Sequence, residues 1–257
     1  HVQNANGALM SGHSKWATIK HKKGAADKAR GKLFAKLARQ IEVSAKSGGD
    51  VDSNPTLRTA VQKAKAARMT NDAIDRAIKR GTGDDDGGTY ESIMYEGYAP
   101  GGVALMIDVL TDNRNRTGAE IRNIFSKLGG SMAEPGAVGW QFHRRGVIIT
   151  GDGVDEDTIM MAAIEAGADD VVAEGSAFRV MTDPSVVYDV KAGIDDAGIE
   201  VISADSPMVA DNLVPVTETS DAKAILRILE ALEDNDDVQD VFSNFDMSDE
   251  LMEVAAS

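Results

Sequence analysis

Residues 146–203 alternate between strand and amphipathic helix patterns in a fixed order, which restricts the fold more than any other feature. Short apolar runs predict strands, and apolar positions three and four residues apart predict helices. The predicted elements are, in chain order, a strand near 146–150, a helix near 155–166, strands near 170–174 and 177–182, a helix near 184–197 and a strand near 199–203. This is the order of the split βαβ motif, so the sequence predicts a ferredoxin-like domain.

The segments on either side of this motif contain too few elements to form a domain separately. Their predicted elements are strands near 92–98 and 102–110, a helix near 114–128, a helix near 220–233 and a strand near 237–243. Ala99-Pro100-Gly101 is predicted to be a hairpin turn between the first two strands. We therefore predict a discontinuous middle domain of residues 90–130 and 206–257, with the ferredoxin-like domain, residues 131–205, inserted into it.

Residues 10–80 are predicted to form a three-helix domain, so the whole chain is of the α+β class. The first helix has an apolar face of Leu33, Phe34, Leu37, Ala38 and Ile41, and its opposite side carries Lys28, Lys32, Lys36 and Arg39. Asn54 is expected to cap the second helix, with Pro55 at its first position. Thr70 is expected to start the third helix, which is predicted to end at Gly81.

Two short segments are predicted to lie outside these domains. His1–Leu9 is uncharged and lacks the regions of a signal peptide, so we interpret it as a cloning remnant before a native start at Met10. Residues 81–89 are polar and rich in glycine, and they resemble a calcium-binding EF-hand loop at a few positions. Ile93 stands where that loop needs a bidentate glutamate, so a linker is favoured.

Positive charge is concentrated at the start of the chain. Residues 10–80 contain 17 Lys and Arg against 6 Asp and Glu, whereas residues 81–257 contain 10 against 36. The net charge of −15 therefore combines a basic segment with an acidic remainder. Such a basic segment is typical of a module that binds phosphates, and the acidic remainder would be repelled by a polyanion. The alternative is that the basic helical face pairs with the acidic body of the same chain.

The densest group of candidate nucleic-acid-binding residues comes just after Met10. It comprises Lys15, Trp16, Lys20, His21, Lys22 and Lys23. The lysines can neutralise phosphates, and the indole can stack on a base or a sugar. Alternatively, Trp16 packs onto the helical bundle as an anchor, since large aromatic side chains are usually buried. The candidates in the helices are Lys28, Arg30, Lys32, Lys36, Arg39, Lys79 and Arg80.

A second candidate site lies at the start of the predicted helix near 114–128. Arg114 and Arg116 stand at its N-terminus, where free backbone N–H groups attract phosphate. The alternative is that Asn113 caps this helix and that the two arginines pair with nearby carboxylates. Both alternatives are open at the level of sequence.

The chain lacks the common signatures of enzymes. It contains no cysteine, which excludes disulfides and thiolate chemistry and suits a reducing cytoplasm. It contains no Walker A, G-x-S-x-G or H-E-x-x-H motif. It also has no apolar run of about 18 residues, the length needed to span a membrane. We therefore expect a cytoplasmic, non-enzymatic protein with no cofactor, no catalytic residue and no metal site.

Several long segments carry a family resemblance. They are MSGHSKWATIKHKKGAADKARGKLFAKLARQIEVSAKSGG from Met10, NPTLRTAVQKAKAARMTNDAIDRAIKRGTG at 54–83, YEGYAPGGVALMIDVLTDNRNRT at 95–117, GSMAEPGAVGWQF at 130–142 and LEDNDDVQDVFSNF at 232–245. The chain thereby resembles the YebC/PmpR family of bacterial proteins, whose relatives include a mitochondrial translational activator of cytochrome oxidase subunit I. The resemblance implies three domains, the first helical and the third inserted into the second, and no catalytic residues.

The resemblance also implies a role in gene expression. Family members are described as DNA-binding transcriptional regulators, and some are linked to translation on the ribosome through proline-containing stretches. We expect a DNA-binding regulator of transcription. The alternative is a translation factor that binds ribosomal or transfer RNA, and an unrecognised enzyme is a third hypothesis. Few Asn or Gln residues accompany the basic side chains, so phosphate contacts are expected to dominate over base reading. The acidic body is expected to face away from the nucleic acid and to contact protein or position the complex.

Overall fold

The computed structural model describes Trp16, residues 26–83 and residues 89–256. Its α-helices are α1 (Ala26–Ala45), α2 (Pro55–Ala66), α3 (Asn71–Thr82), α4 (Arg114–Leu128), α5 (Glu156–Glu165), α6 (Val187–Asp196), α7 (Thr219–Asp234) and α8 (Asp249–Ala256). Its strands are β1 (Glu91–Ala99), β2 (Val103–Thr111), β3 (Ser131–Ala133), β4 (Phe142–Arg144), β5 (Gly146–Thr150), β6 (Asp170–Glu174), β7 (Ala177–Thr182), β8 (Val201–Asp205), β9 (Met208–Ala210), β10 (Val214–Pro215), β11 (Val238–Ser243) and β12 (Phe245–Asp246). The predicted α+β class is confirmed.

The three N-terminal helices share one apolar core. The predicted cap of α2 is present, since Asn54 Oδ1 accepts a hydrogen bond from the Leu57 N–H, and Thr70, the predicted start of the third helix, caps α3 by accepting one from the Ala73 N–H. The buried core residues include Leu37 and Ile41 of α1, together with Leu57, Val61, Ala64, Ile74 and Ala77.

The predicted apolar face of α1 needs one correction, because Leu33 is 42% exposed. Helix α1 has 20 residues, whereas α2 and α3 have 12 each. At 1.5 Å per residue, the shorter helices cannot cover the whole of α1, and the fully buried positions of α1 lie in its C-terminal half. Leu33 therefore lies beyond the part of α1 that its partners cover.

The predicted end of α3 at Gly81 is also wrong. The helix continues to Thr82, and Gly81 lies inside it at the crossing with α1. A Cβ atom at this position would lie 2.3 Å from the Glu42 carbonyl oxygen and 2.7 Å from the Ala45 Cβ. The glycine is therefore explained by the close approach of two helices rather than by helix termination.

We expect Gly81→Ala to destabilise the protein by about 2 kcal/mol, because the added methyl group overlaps backbone atoms of α1. Gly31→Ala is the matched control, since Gly31 is also helical and no atom lies within 4 Å of its added Cβ. Alanine there should stabilise the helix by up to about 1 kcal/mol. Urea unfolding of both variants measures the difference, and equal unfolding midpoints would contradict the proposed crossing.

The middle sheet is antiparallel and has the strand order β11-β2-β1-β3. Strands β1 and β2 pair from Glu91 opposite Thr111 to Ala99 opposite Val103, and the short turn Pro100–Gly102 connects them. The predicted hairpin is therefore present. Strand β11 pairs with β2 although β11 lies far along the chain. Helices α4 and α7 contribute Ile121, Phe125, Ile225 and Leu229 to the core of this sheet.

The predicted β-α-β-β-α-β series also folds as one sheet, with the order β6-β7-β5-β8 and antiparallel pairing. Its last strand starts at Val201, two residues later than predicted. Gly198, with φ of +78°, and Ile199, whose N–H donates to the Ile194 carbonyl, form the turn that ends α6. These residues are therefore used by the helix end and not by the strand.

The described chain divides into two compact units. One comprises residues 143–209, and the other comprises the remaining described residues, so that the N-terminal helices and the middle sheet belong to one unit. This division is coarser than the predicted domain limits, and a separate helical domain of residues 10–80 stays a prediction. No helix within the described ranges is both long enough and apolar enough to cross a membrane.

Candidate nucleic-acid interface

Part of the basic face of α1 contacts the acidic segment 233–240, which contains the end of α7, the connection to β11 and the start of β11. Lys32 Nζ donates to Asp234 Oδ1 at 2.8 Å, and Lys36 Nζ donates to the Glu233 carbonyl oxygen at 2.7 Å. On α2, Lys63 pairs with Asp240 at 3.3 Å. Lys32 and Lys36 lie at the C-terminus of α7, where the partial negative charge of the helix end favours cations. For these lysines, the structure matches the alternative in which the basic face pairs with the acidic body.

Arg39 makes the most extensive contacts on this face. Its Nη1 donates to Asp237 Oδ1 at 2.9 Å and to the carbonyl oxygens of Leu110 and Asp236 at 3.1 Å each. Its guanidinium also lies 4.9 Å from the centroid of the Tyr90 ring, a favourable cation–π distance. Arg39 therefore fixes the helical part to the middle sheet.

Asp237 is the buried centre of this network and is 6% exposed. Its Oδ2 accepts hydrogen bonds from Arg116 Nη2 at 2.6 Å and from Thr117 Oγ1 at 2.7 Å. Burial raises the pKa of Asp237. The hydrogen bonds from Thr117, Arg116 and Arg39 together lower it by more, so the net pKa lies below its ordinary value. Conversely, Asp237 and Asp112 raise the pKa of Arg116. The carboxylate is thus ionised and held by two arginines.

Of the two arginines at the start of α4, Arg116 pairs with carboxylates, whereas Arg114 is largely exposed. Asn113 Oδ1 accepts a hydrogen bond from the Arg116 N–H at 3.0 Å, so Asn113 caps the helix. The Arg116 side chain is occupied by Asp237 and by Asp112 at 2.9 Å. Arg114, in contrast, is 65% exposed and lies 3.8 Å from Glu91, a distance typical of a weak surface pair.

Another group of cations faces solvent on α2 and α3. We call Lys65, Arg68, Arg76 and Lys79 the outer cations. All four are exposed, and none forms a hydrogen bond or ion pair through its side chain with any described residue. Arg30 is exposed as well, whereas Arg80 pairs with Glu42 at 2.5 Å. Sequence reasoning identified Lys79 but missed the other outer cations, although Arg76, Lys79 and Arg80 have the spacing of one helix face.

Arg68 has an unusual backbone conformation for its residue type. Its φ is 62°, and it is the only described residue other than glycine with positive φ. It follows the end of α2, where its N–H donates to the Lys65 carbonyl oxygen at 2.9 Å. Glycine is usual at such a position, and a side chain costs roughly 1–2 kcal/mol. An arginine at a strained position suggests a function for its side chain.

Trp16 is 6% exposed and belongs to the core cluster around the middle sheet. Its ring therefore has no open face on which a base could stack. The structure favours the anchoring alternative, with the correction that the anchor lies in the sheet core and not in the helical bundle. No described residue is hydrogen-bonded to its Nε1.

Six candidate residues have no described side chain. Five lie outside the described residues, namely Lys15, Lys20, His21, Lys22 and Lys23, and Lys28 is described only as a backbone position in α1. Within the part of the chain that is described, no group of three or more His, Asp or Glu side chains is arranged to hold a metal ion.

N-terminal helices with exposed cations, an antiparallel middle sheet and a separate compact unit of residues 143–209 define an α+β protein with a basic helical part. The chain belongs to the TACO1/YebC family. Residues 14–84 match the model of the TACO1/YebC protein N-terminal domain, and residues 90–245 match that of the TACO1/YebC second and third domain. The family resemblance inferred from the sequence is thereby confirmed.

Similar proteins match over nearly the full chain. Probable transcriptional regulatory proteins of Rubrobacter xylanophilus and Halothermothrix orenii are 54% and 53% identical, and each match covers 95% of this chain and 98% of the relative. A crystal structure of a conserved hypothetical protein from Aquifex aeolicus has a TM-score of 0.78 and 41% sequence identity. That match covers 91% of this chain and 97% of the other.

Proposed function

We propose that this protein is a non-enzymatic regulator of gene expression that acts in the cytoplasm as a DNA-binding transcriptional regulator. The observation that carries the proposal is the exposure of the outer cations to solvent. All four are exposed and have no acidic partner among the described residues, and they lie in or just after α2 and α3, within the basic segment of a chain whose acidic side chains outnumber its basic ones by 42 to 27. Exposed lysines and arginines without acidic partners are suited to phosphate oxygens. The names of the relatives, probable transcriptional regulatory proteins, support the same function.

The contacts with segment 233–240 change which residues we assign to nucleic-acid binding. Lys32, Lys36 and Arg39 hold the helical part against the middle sheet, and Arg116 holds Asp237. We therefore assign phosphate binding to two sets of residues. These are the outer cations and the lysines before residue 24, with Arg30 and Arg114 as further exposed candidates.

Phosphate contacts do not distinguish DNA from RNA, and the contacts that lysines and arginines make to phosphates carry no sequence information. This observation also suits structured RNA, which proteins recognise largely by shape and backbone. The second candidate function is therefore a translation factor that binds ribosomal or transfer RNA and relieves stalls at proline-rich stretches.

Crosslinking of the protein to nucleic acid in growing cells, followed by sequencing, separates these functions. Recovery of promoter DNA is the expected result for a transcriptional regulator. Enrichment of ribosomal or transfer RNA would support the translation factor. An Arg76→Gln/Lys79→Gln variant should lose most of the recovered material in both cases, and undiminished recovery with that variant would overturn the assignment of the outer cations.

We expect Arg68→Gly to change stability and binding in opposite directions. Glycine relieves the left-handed backbone strain, so the free energy of unfolding should rise by about 1 kcal/mol. Loss of the guanidinium should weaken nucleic-acid binding and lower its salt dependence. Urea unfolding and fluorescence anisotropy with a labelled duplex measure the two effects. Arg68→Lys, which keeps the charge and the side chain, should change neither quantity much. Unchanged binding by Arg68→Gly would remove Arg68 from the interface.

A further inference from the structure

Helix α5 is apolar on two sides. On its inward side, Ile159 and Ala163 are fully buried in the core of the 143–209 unit. On its outward side, Met161 is 69% exposed, Ile164 is 58% exposed and Met160 is 37% exposed. A helix that is hydrophobic all round is usually covered on all sides. No described part of the chain covers the outward side of α5.

The outward side of α5 borders a groove shared with α6. Gly193 of α6 faces Ala166, and a Cβ atom at Gly193 would lie 2.6 Å from the Ala166 Cβ. The small side chains allow the helices to approach closely, and Ala162 and Ala197 also line the open cavity of about 550 Å³ between them. Met161 lines the groove, and Ile164, three residues further along α5, is a second exposed apolar side chain on the outward side of the helix. The shape suits the ridge of side chains of another helix.

The rim of this groove is acidic. Asp157, Glu165 and Asp196 line it, are exposed, and form no side-chain hydrogen bond or ion pair with described residues. Residues 143–209 as a whole contain 14 Asp and Glu against 4 Lys and Arg. Such a surface repels nucleic acid and attracts a basic protein segment. The flexible methionines allow the apolar surface to adapt to different side chains.

We propose that the α5–α6 groove binds an amphipathic, basic helix of a partner protein. The apolar side chains of the partner pack against Met161 and Ile164, and its flanking lysines or arginines pair with Asp157, Glu165 and Asp196. This site is distinct from the outer cations in both charge and ligand, and it gives the inserted unit a role in recruiting protein.

The test uses the full-length protein and a fluorescein-labelled peptide of leucine and lysine, about 18 residues or five helical turns long. Leucines spaced three and four residues apart give it one apolar face. In fluorescence anisotropy, this peptide should bind more tightly than a scrambled peptide of the same composition. Met161→Ser/Ile164→Ser should weaken its binding roughly tenfold or more, because two apolar contacts are lost. Asp157→Asn/Glu165→Gln/Asp196→Asn should weaken its binding and reduce the salt dependence.

Ile202→Ser is the matched control, because Ile202 is an apolar residue of the same unit that is 63% exposed but lies on strand β8 and not on α5 or α6. Its peptide affinity should equal that of the unchanged protein. Equal peptide binding by the unchanged protein and by Met161→Ser/Ile164→Ser, with thermal unfolding unchanged, would overturn the proposal. Sedimentation that shows self-association abolished by the same double substitution would also overturn it, because a second copy would then cover the groove.

Discussion

Asp237→Ala is expected to lower the free energy of unfolding by about 3 kcal/mol. Removing one partner of a buried ion pair leaves the opposite charge without compensation, which typically costs 3–5 kcal/mol. We expect the lower end of this range, because the Arg116 side chain is 43% exposed and water can partly replace its partner. Most of the lost stability is expected to come from Arg39, because its side chain is only 23% exposed and its charge would lose its carboxylate partner. Chemical denaturation measures the change.

Asp236→Ala is the matched control for this prediction. Asp236 is the neighbouring acidic residue, but it is exposed and contributes only its carbonyl oxygen to Arg39. Its replacement should change the free energy of unfolding by no more than about 0.5 kcal/mol. Equal effects of the two substitutions would show that the helical part is not held by the Asp237 carboxylate.

The same network predicts a pH dependence of stability. The folded-state pKa of Asp237 lies below the ordinary value of 3.8. A carboxylate with a lowered pKa contributes its full stabilisation above the unfolded-state pKa and loses it as the pH falls towards the folded-state pKa. Asp237→Asn should therefore flatten the acid side of the stability profile below about pH 4, and an unchanged acid profile would contradict the ionised state of this side chain.

The order of the elements could be predicted from sequence because each element has a clear period and marked ends. The Asn54 and Pro55 pair starts α2, and Asn113 caps α4, which was one of the two alternatives for that helix start. The predicted element ends are wrong where a residue typical of one structure takes part in another. Gly81 has the sequence signature of a helix end, but it serves a helix crossing, and Ile199 belongs to a helix turn although it resembles the start of a strand.

The candidate site was harder to predict than the fold. Helical periodicity separates Lys32, Lys36 and Arg39 from the core of their own helices, but it does not reveal that segment 233–240 covers them. That contact joins residues about 200 positions apart, which no local pattern encodes. Arg68 was missed for a related reason, since its positive φ is visible only in the folded chain.

Arg76→Gln/Lys79→Gln is expected to have the largest effect on nucleic-acid binding of any pair of substitutions in α3. Each phosphate contact contributes about 0.9 to the slope of log affinity against log salt on duplex DNA, so the slope should fall by about 1.8. This corresponds to about a tenfold smaller loss of affinity between 50 and 200 mM salt. Neutralising all four outer cations should lower the slope by about 3.6.

Arg122→Gln/Lys127→Gln is the control with the same change of charge. Both residues are exposed on α4, and neither side chain forms a hydrogen bond or ion pair with described residues. If binding depended only on net charge, this pair would weaken it as much as the pair on α3. If the outer cations contact phosphates, the control should retain nearly the full affinity and slope. Arg76 and Lys79 are exposed, so neither pair should change the unfolding midpoint by much.

The most direct measurement is the salt dependence of duplex binding by the full-length protein and these two double variants. Fluorescence anisotropy would be recorded at several salt concentrations for each protein. We predict a steep slope for the unchanged protein and the α4 variant, and a clearly shallower one for Arg76→Gln/Lys79→Gln. Three identical slopes, or binding that does not respond to salt, would contradict the account that the outer cations hold nucleic-acid phosphates.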